Sequence, residues 1–309
     1  MKNPHLRYNG FNEVLRKKFG QKISRLTLNL NLTCPHVDPI TGNGGCHYCN
    51  DDHLLGKSWH KQLSLNKQID YGKNYLKGRH NTDKYLAYFQ NGTNTNAPTD
   101  KLLPLFKESI SDPAMVGLII STRPDCLPDD MIDALCALNS QTWLWVELGL
   151  QSTQDHVLDK INRGHSVAAF VSAVERLAAK NIRTCAHIIF GLPDESREEM
   201  IGGVHLVNSL PVNGIKLHNL FIVENTVLAQ WFKQGDYTPL TLCEYATLCV
   251  DYLERLRPDI TIHRLNAHAP DRLTIAPKWS VNKWDTLNAV HEEIEKRGTQ
   301  QGRLYQAPS

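Results

Sequence analysis

The sequence predicts an α/β fold: a partial (β/α)6 barrel of the TIM type followed by a small C-terminal α+β extension. Two observations predict this fold. The first is that short apolar runs recur at intervals of roughly thirty residues. The second is that helical patterns lie between most of these runs, as in repeated βαβ units. Six such units fall short of the eight strands and roughly 250 residues of a complete barrel. The strand-like runs are 25–32, 85–90, 116–121, 143–151, 183–190 and 214–221.

Four connecting segments carry the helical pattern. Each opens with Ser, Pro, Thr, Asp or Glu near its start, as helix N-termini prefer. Helical connections of this length suit parallel strands better than an antiparallel sheet with one wetted face. The helical segments are 99–110, 128–138, 166–179 and 195–208.

Several strands alternate apolar and polar side chains. In the first, Leu26 and Leu28 share one face, while Thr27 and Asn29 lie on the other. The apolar face packs under helices, and the polar faces of successive strands converge on one lumen. Ligands in such folds sit at the carboxyl ends of the strands, so we expect chemistry there.

The regular alternation of predicted strands and helices ends after residue 235. A helical stretch at 241–256, a strand-like 260–265 and an amphipathic helix at 281–297 predict an extension packed on the sheet. We therefore divide the chain into three parts. They are a basic N-terminal extension (1–20), the partial barrel (21–235) and a C-terminal extension (236–309).

Composition excludes several classes of protein. With 309 residues, 41% hydrophobic and 21% charged, the chain is neither disordered nor fibrous. The net charge of +2 argues against a dedicated nucleic-acid coat. No run approaches the ~20 apolar residues of a membrane helix, and the first ten residues show no signal peptide. We expect a soluble, cytoplasmic protein that makes no membrane contact.

Three of the eight cysteines, Cys34, Cys46 and Cys49, fall in one Gly-rich loop after the first strand. Thiolates at this spacing suit zinc, copper(I) or an iron-sulfur cluster. A structural zinc needs a fourth ligand, which His36, His47 or His53 could supply. A thioredoxin-like pair needs only the last two cysteines, and a cluster held by three thiolates leaves one iron open. Spacing alone does not separate zinc from a cluster, but the position after the first strand favours catalysis.

The chain resembles the radical S-adenosylmethionine (SAM) superfamily over nearly its whole length. Within it, the wide gap between the first two loop cysteines resembles the branch that includes the radical SAM domain of the Elongator catalytic subunit. The chain is most similar to the YhcC-like group. The segments that carry this likeness are QNGT (90–93), STRPD (121–125), VELGLQS (146–152), INRGH (161–165), IIFGLPDES (188–196), GIKLHNLF (214–221) and IAPKWSVNK (275–283).

The resemblance implies a role for each of twelve residues. Cys34, Cys46 and Cys49 would hold a 4Fe-4S cluster, and Arg163 would pair with the methionine carboxylate of SAM. The turn after the second strand would offer carbonyls to the SAM ammonium, the end of the third would meet the ribose, and inward residues of later strands would contact the adenosine or a second substrate. The implied SAM-binding set is Asn91, Gly92, Thr93, Ser121, Thr122, Gln151, Arg163, His187 and Lys216.

The resemblance also implies an activity. A low-potential donor of the flavodoxin or ferredoxin type would reduce the cluster, and cleavage of SAM would give a 5′-deoxyadenosyl radical that abstracts hydrogen from a substrate. Likeness to the Elongator subunit makes a tRNA nucleoside one candidate, and Lys17 and Lys18 on the basic N-terminal segment would then contact tRNA. The alternative is a zinc-stabilised RNA-binding or adaptor protein without catalysis.

Overall fold

The computed structural model describes residues 6–37, 42–50, 63–269 and 271–307. Seven parallel strands form one sheet in the spatial order β1-β2-β3-β4-β5-β6-β8, and β7 and β9 form a separate antiparallel pair. The strands are β1 (Ser24–Leu28), β2 (Tyr85–Phe89), β3 (Met115–Thr122), β4 (Trp143–Gln151), β5 (Arg183–Phe190), β6 (Gly214–Asn219), β7 (Ile222–Val223), β8 (Thr261–Arg264) and β9 (Thr274–Ala276).

Helices follow most strands and cover the outer face of the sheet. They lie close to the segments that the sequence predicts. The helices are α1 (Phe11–Phe19), α2 (Leu65–His80), α3 (Thr99–Ser109), α4 (Asp129–Asn139), α5 (Asp155–Lys160), α6 (Val167–Ala179), α7 (Arg197–Ser209), α8 (Val227–Gln234), α9 (Leu242–Arg255) and α10 (Lys283–Arg297).

The sheet is curled into a partial barrel, which confirms the predicted fold class. A contact across the lumen shows the curvature: Lys216 Nζ on β6 lies 2.7 Å from the hydroxyl of Tyr88 on β2. In a flat sheet, four strand spacings of about 4.8 Å would separate these strands by about 19 Å. Every residue of β2 and of β4 is buried, as expected for strands covered on both faces.

The seventh strand comes from the predicted C-terminal extension. The strand-like run at 260–265 becomes β8, which pairs with β6 through Gly214 opposite Thr261 and Ile215 opposite Ile262. The domain boundaries after residues 20 and 235 stay predictions. In the part of the chain described, no helix is both long enough and apolar enough to span a membrane.

Helix α1 closes the amino end of the barrel. Phe11 is buried and its ring stacks on that of His263 at 4.0 Å between centroids, with Trp143 and Trp145 at 5.8 and 5.7 Å. The guanidinium of Arg25 lies over Phe11, so this arginine is not part of an exposed basic surface. Lys2, the first basic residue of the predicted N-terminal extension, lies outside the described residues, which begin at residue 6.

Candidate active site

All twelve predicted site residues line one cavity of about 240 Å³ at the carboxyl ends of the strands. The cysteine loop forms one wall, the ends of β2 to β4 another, and β5, β6 and β8 the far side. The predicted residues in the lining are Cys34, Cys46, Cys49, Asn91, Gly92, Thr93, Ser121, Thr122, Gln151, Arg163, His187 and Lys216.

The turn after α5 holds the cysteine loop in place. The His47 amide donates to the Ile161 carbonyl at 2.9 Å. The side-chain amide of Asn162 donates to the carbonyls of Asn43 and Gly45, both at 2.8 Å. The described parts of the loop, 34–37 and 42–50, therefore have a defined conformation that presents the thiols to the cavity, although these parts contain no helix or strand.

Two of the three histidines proposed as a fourth zinc ligand are described. His36 Nε2 lies 2.6 Å from the Asn162 carbonyl, and His47 Nδ1 lies 2.9 Å from the Lys160 carbonyl, so each has its second ring nitrogen left for other contacts. His53 lies outside the described residues. Among the described residues, neither His36 nor His47 forms a set of three ligand atoms within 4.8 Å of one another with the loop cysteines.

The three thiols are not arranged as ligands of a single ion. Ligands of one zinc at about 2.3 Å lie within about 4 Å of one another. Among the described residues, Cys34, Cys46 and Cys49 do not form a set whose sulfurs all lie within 4.8 Å. A polynuclear cluster binds each thiolate at a separate iron, and three thiolates are a suitable donor set for it.

Arg163 is buried beside the cysteines. Its Nη1 donates to Cys46 Sγ at 3.6 Å and its Nη2 to the Gly149 carbonyl at 3.1 Å. A Cβ on Gly149 would lie 2.6 Å from Nη2, so the glycine makes room for the guanidinium. Burial would lower the pKa of Arg163, but its interactions with Tyr48 and Cys46 outweigh burial and hold the pKa above its ordinary value.

The turn after β2 has the open backbone that a ligand contact needs. Gly92 adopts φ +75°, and a Cβ there would lie 3.3 Å from the Leu32 carbonyl. The side chain of Asn94, which the sequence analysis did not select, pins the turn by donating to the carbonyls of Asn91 at 3.2 Å and Phe89 at 3.0 Å. Thr93 is buried beside it.

Four buried polar atoms of the cavity lining have no hydrogen-bond partner among the described residues: Gln151 Oε1, Arg163 Nε, His187 Nε2 and Asn219 Nδ2. Buried polar atoms in proteins are nearly always paired, so this group points to a polar ligand. Gln151 also holds a left-handed backbone with φ 74°, which is uncommon for a residue other than glycine. Burial, with His218 adding to it, holds the pKa of His187 well below its usual range.

Ser121 and Lys216 reach the lumen but meet a protein partner there. Glu147 Oε2 accepts from Lys216 Nζ at 2.7 Å, Ser121 Oγ at 2.8 Å and the Tyr88 hydroxyl at 2.7 Å. Burial would raise the pKa of Glu147, but the charge of Lys216 outweighs it and keeps the pKa well below its usual value. Similarly, Thr122 Oγ1 lies 2.5 Å from Thr95 Oγ1. These contacts support the cavity floor.

Sequence reasoning missed several lining residues. Glu147 occupies a polar position in the alternating pattern of β4 and faces the lumen, so this alternation could have identified it as a lining residue. Arg264 on β8 gave no such signal, because an irregular register near Lys216 turns it inward. Further lining residues not selected include Tyr48, Arg123, Gly149, Ile189, His218, Asn219 and Phe221.

Comparison with known proteins agrees with the site. A family model described as the radical SAM superfamily matches residues 41–207, and one described as the Radical_SAM C-terminal domain matches residues 212–296. YtqA of Bacillus subtilis is 38% identical over 98% of this chain and 94% of its own length. Protein YhcC of Escherichia coli K12 is 32% identical, covering 96% of this chain and 95% of that protein.

Solved structures share the fold. The archaeal Methanocaldococcus infernus Elp3 superimposes with a TM-score of 0.68 at 19% identity, covering 90% of this chain and 64% of that one. Methylornithine synthase (PylB) superimposes with a TM-score of 0.53 at 12% identity, covering 94% and 86%. From the sequence matches over most of its length, the chain belongs to the radical SAM superfamily, a family of enzymes that bind a 4Fe-4S cluster and SAM.

Proposed function

We propose that Cys34, Cys46 and Cys49 hold the 4Fe-4S cluster in this cavity and that SAM binds beside it, so that the chain initiates radical chemistry on a second substrate. The observation that carries the proposal is the convergence on one lumen of three thiols and four buried polar atoms that no described residue pairs. When bound, the cluster supplies the electron that cleaves SAM to methionine and a 5′-deoxyadenosyl radical, which abstracts hydrogen from the substrate.

The protein's own part in this reaction is positioning. Arg163 is fixed by two hydrogen bonds and keeps Nε without a partner, so it can hold the methionine carboxylate next to the cysteine loop. The Asn91–Thr93 turn would receive the ammonium. Gln151 and His187 offer unpaired polar atoms to the adenosine. Burial of these groups excludes water from the reacting centre.

Three of the predicted SAM contacts take a different role in the proposal. Ser121 and Lys216 are committed to Glu147, and their replacement would disturb the lumen wall before it removed a ligand contact. We therefore assign both as positioning residues. Thr122, bonded to Thr95, belongs with them.

The test is SAM cleavage by anaerobically reconstituted protein with dithionite. The wild type is expected to form methionine and 5′-deoxyadenosine. Replacing any one of Cys34, Cys46 and Cys49 with Ala is expected to lower the yield at least about 100-fold, since each thiolate would bind its own iron. Cys243→Ala is the matched control, because that cysteine is exposed on α9 and away from the cavity. No cleavage by the wild type, or equal cleavage by all four variants, would contradict the proposal.

For the substrate we propose a tRNA nucleoside. Curated proteins named tRNA uridine(34) acetyltransferase support this, the one from Dehalococcoides mccartyi being 31% identical over 158 residues, which is 50% of this chain and 34% of that protein. Modified nucleosides from deletion and parent cells, compared by mass spectrometry, test it. A nucleoside that changes in the deletion and returns with the intact gene supports the assignment, whereas identical nucleoside profiles contradict it. A low-potential flavodoxin or ferredoxin is the proposed electron donor.

A further inference from the structure

A β-bulge places two consecutive residues of β8 on the lumen side. Ile215 pairs with Ile262, but the next residue of β6, Lys216, pairs with Arg264, so His263 is the extra residue of the bulge. In a regular strand, neighbours point to opposite faces. Here His263 contacts Glu147 at 3.3 Å and Arg264 also lines the cavity. Bulges next to active sites often redirect a side chain in this way.

The guanidinium of Arg264 has no hydrogen-bond or ion-pair partner among the described residues. By contrast, Lys216 beside it is neutralised by Glu147 at 2.7 Å, and Arg123 is paired with Asp125 at 2.8 Å. The charge of Arg264 is felt nearby, because it adds to burial in lowering the pKa of His218.

The charges around the lumen favour an anionic occupant on this side. Glu147 is the one carboxylate among the described lining residues, and the charge of Lys216 already neutralises it. The cations that line the same cavity are Arg123, Arg163, Lys216 and Arg264. Arg163 lies by the cysteine loop, whereas Arg264 lies on β8, beyond the strands that carry the predicted SAM contacts.

We infer that Arg264 binds an anionic group of the second substrate, a phosphate or a carboxylate, and so fixes that substrate on the β6–β8 side of the cavity. The inference rests on the proposed function, since it assigns the part of the cavity that SAM does not fill. A partly buried guanidinium that no described residue pairs is suited to bidentate binding of either anion. A substrate lacking such a group would leave this charge uncompensated.

The experiment measures anion affinity directly, without turnover. Reconstituted protein with SAM present and no reductant is titrated by calorimetry with inorganic phosphate and, separately, with acetate. The wild type is expected to bind at least one anion saturably. Arg264→Gln is expected to weaken that affinity at least about tenfold. Arg264→Lys is expected to lose less than Arg264→Gln but not to reach the wild-type affinity, because it keeps the charge and loses the bidentate geometry. Arg16→Gln is the matched control, because that arginine is exposed on α1 at the other end of the barrel.

Each outcome of the titration either supports or overturns the inference about Arg264. Tighter phosphate binding supports a phosphorylated substrate such as a nucleotide, and tighter acetate binding supports a carboxylate. No saturable binding, equal affinity in Arg264→Gln and the wild type, or an equal loss in Arg16→Gln overturns the inference. Failure of the proposed function is seen separately, as absence of SAM cleavage by the wild type with dithionite.

Discussion

The middle of the lumen and the carboxyl end of the barrel use buried polar groups differently. In mid-lumen, which forms the cavity floor, Glu147 accepts hydrogen bonds from Lys216, Ser121 and Tyr88. At the rim of the cavity, buried polar atoms such as Gln151 Oε1 and Arg163 Nε have no partner among the described residues. Satisfied networks stabilise a fold, whereas unsatisfied buried groups cost stability unless a ligand pairs with them. The floor is thus built for stability and the rim for binding.

The largest stability effect is expected in the floor. Lys216→Met leaves the Glu147 carboxylate buried without its counter-ion, and breaking a buried pair in this way costs about 3–5 kcal/mol. Urea unfolding measures the loss. Lys101→Met, an exposed lysine on α3, is the matched control and should change stability by less than about 0.5 kcal/mol. A loss below about 1 kcal/mol for Lys216→Met would mean that the floor network is not structural.

A smaller effect is expected from Glu195, near the carboxyl ends. Burial raises its pKa from 4.5 to about 7, although Ser152 donates to it at 2.5 Å. Between these values the native state binds more protons than the unfolded chain, so this group lowers stability as pH rises through the window. Glu195→Gln removes that dependence and should gain up to about 3 kcal/mol on the wild type between pH 4.5 and 8.

The measurement for Glu195 is the difference in unfolding free energy between variant and wild type at several pH values. The adjacent exposed Glu198→Gln gives the control profile. A difference that stays constant from pH 4.5 to 8 would contradict the assigned pKa. A difference that grows with pH confirms it.

His187 tests the rim. Because its Nε2 has no partner, His187→Ala should cost less than about 1 kcal/mol of stability. It should nevertheless lower SAM cleavage about tenfold, since the lost group is a proposed adenosine contact. Thermal unfolding and the dithionite assay give the two numbers. If stability falls by several kcal/mol and cleavage falls only in proportion to folded protein, His187 belongs to the floor.

The smallest effect is expected outside both regions. Lys17 and Lys18 are exposed at the end of α1, and Lys18 lies over Trp143, at the amino end of β4. The cavity is at the opposite end, so the double change to Glu should leave SAM cleavage unchanged and alter tRNA affinity less than about threefold. Filter binding across a salt series checks this. A large loss of affinity would return the basic segment to the tRNA-binding role that the sequence suggests.

Periodicity predicted the order of strands and helices well, because each βαβ unit is encoded locally. Periodicity did not predict where a strand ends when a side chain, rather than a neighbouring strand, pairs with the backbone. The first strand was expected to reach residue 32, but it ends at Leu28, because the amide of Gln68 pairs with the backbone of Asn29 at 2.9 and 3.0 Å. Similarly, no alternation rule reveals the bulge that turns Arg264 inward.

The sequence indicated which residues line the cavity better than it indicated what each of them does there. The twelve predicted residues meet in one cavity, because strand ends and their loops share one edge of a parallel sheet. Whether a lumen side chain is free depends on long-range partners. Ser121 and Lys216 are bonded to Glu147 on a third strand, and this pairing follows from the curvature of the sheet, which the sequence does not state.

The central claim is that the thiols of Cys34, Cys46 and Cys49 hold a cluster that SAM contacts. It is tested most directly by metal analysis combined with electron paramagnetic resonance of the reduced protein. We expect about four iron and four sulfide per chain, and a reduced-cluster signal that changes when SAM is added and is absent from the Cys46→Ala variant. One zinc per chain with neither iron nor sulfide, or a cluster signal unmoved by SAM, would contradict the account.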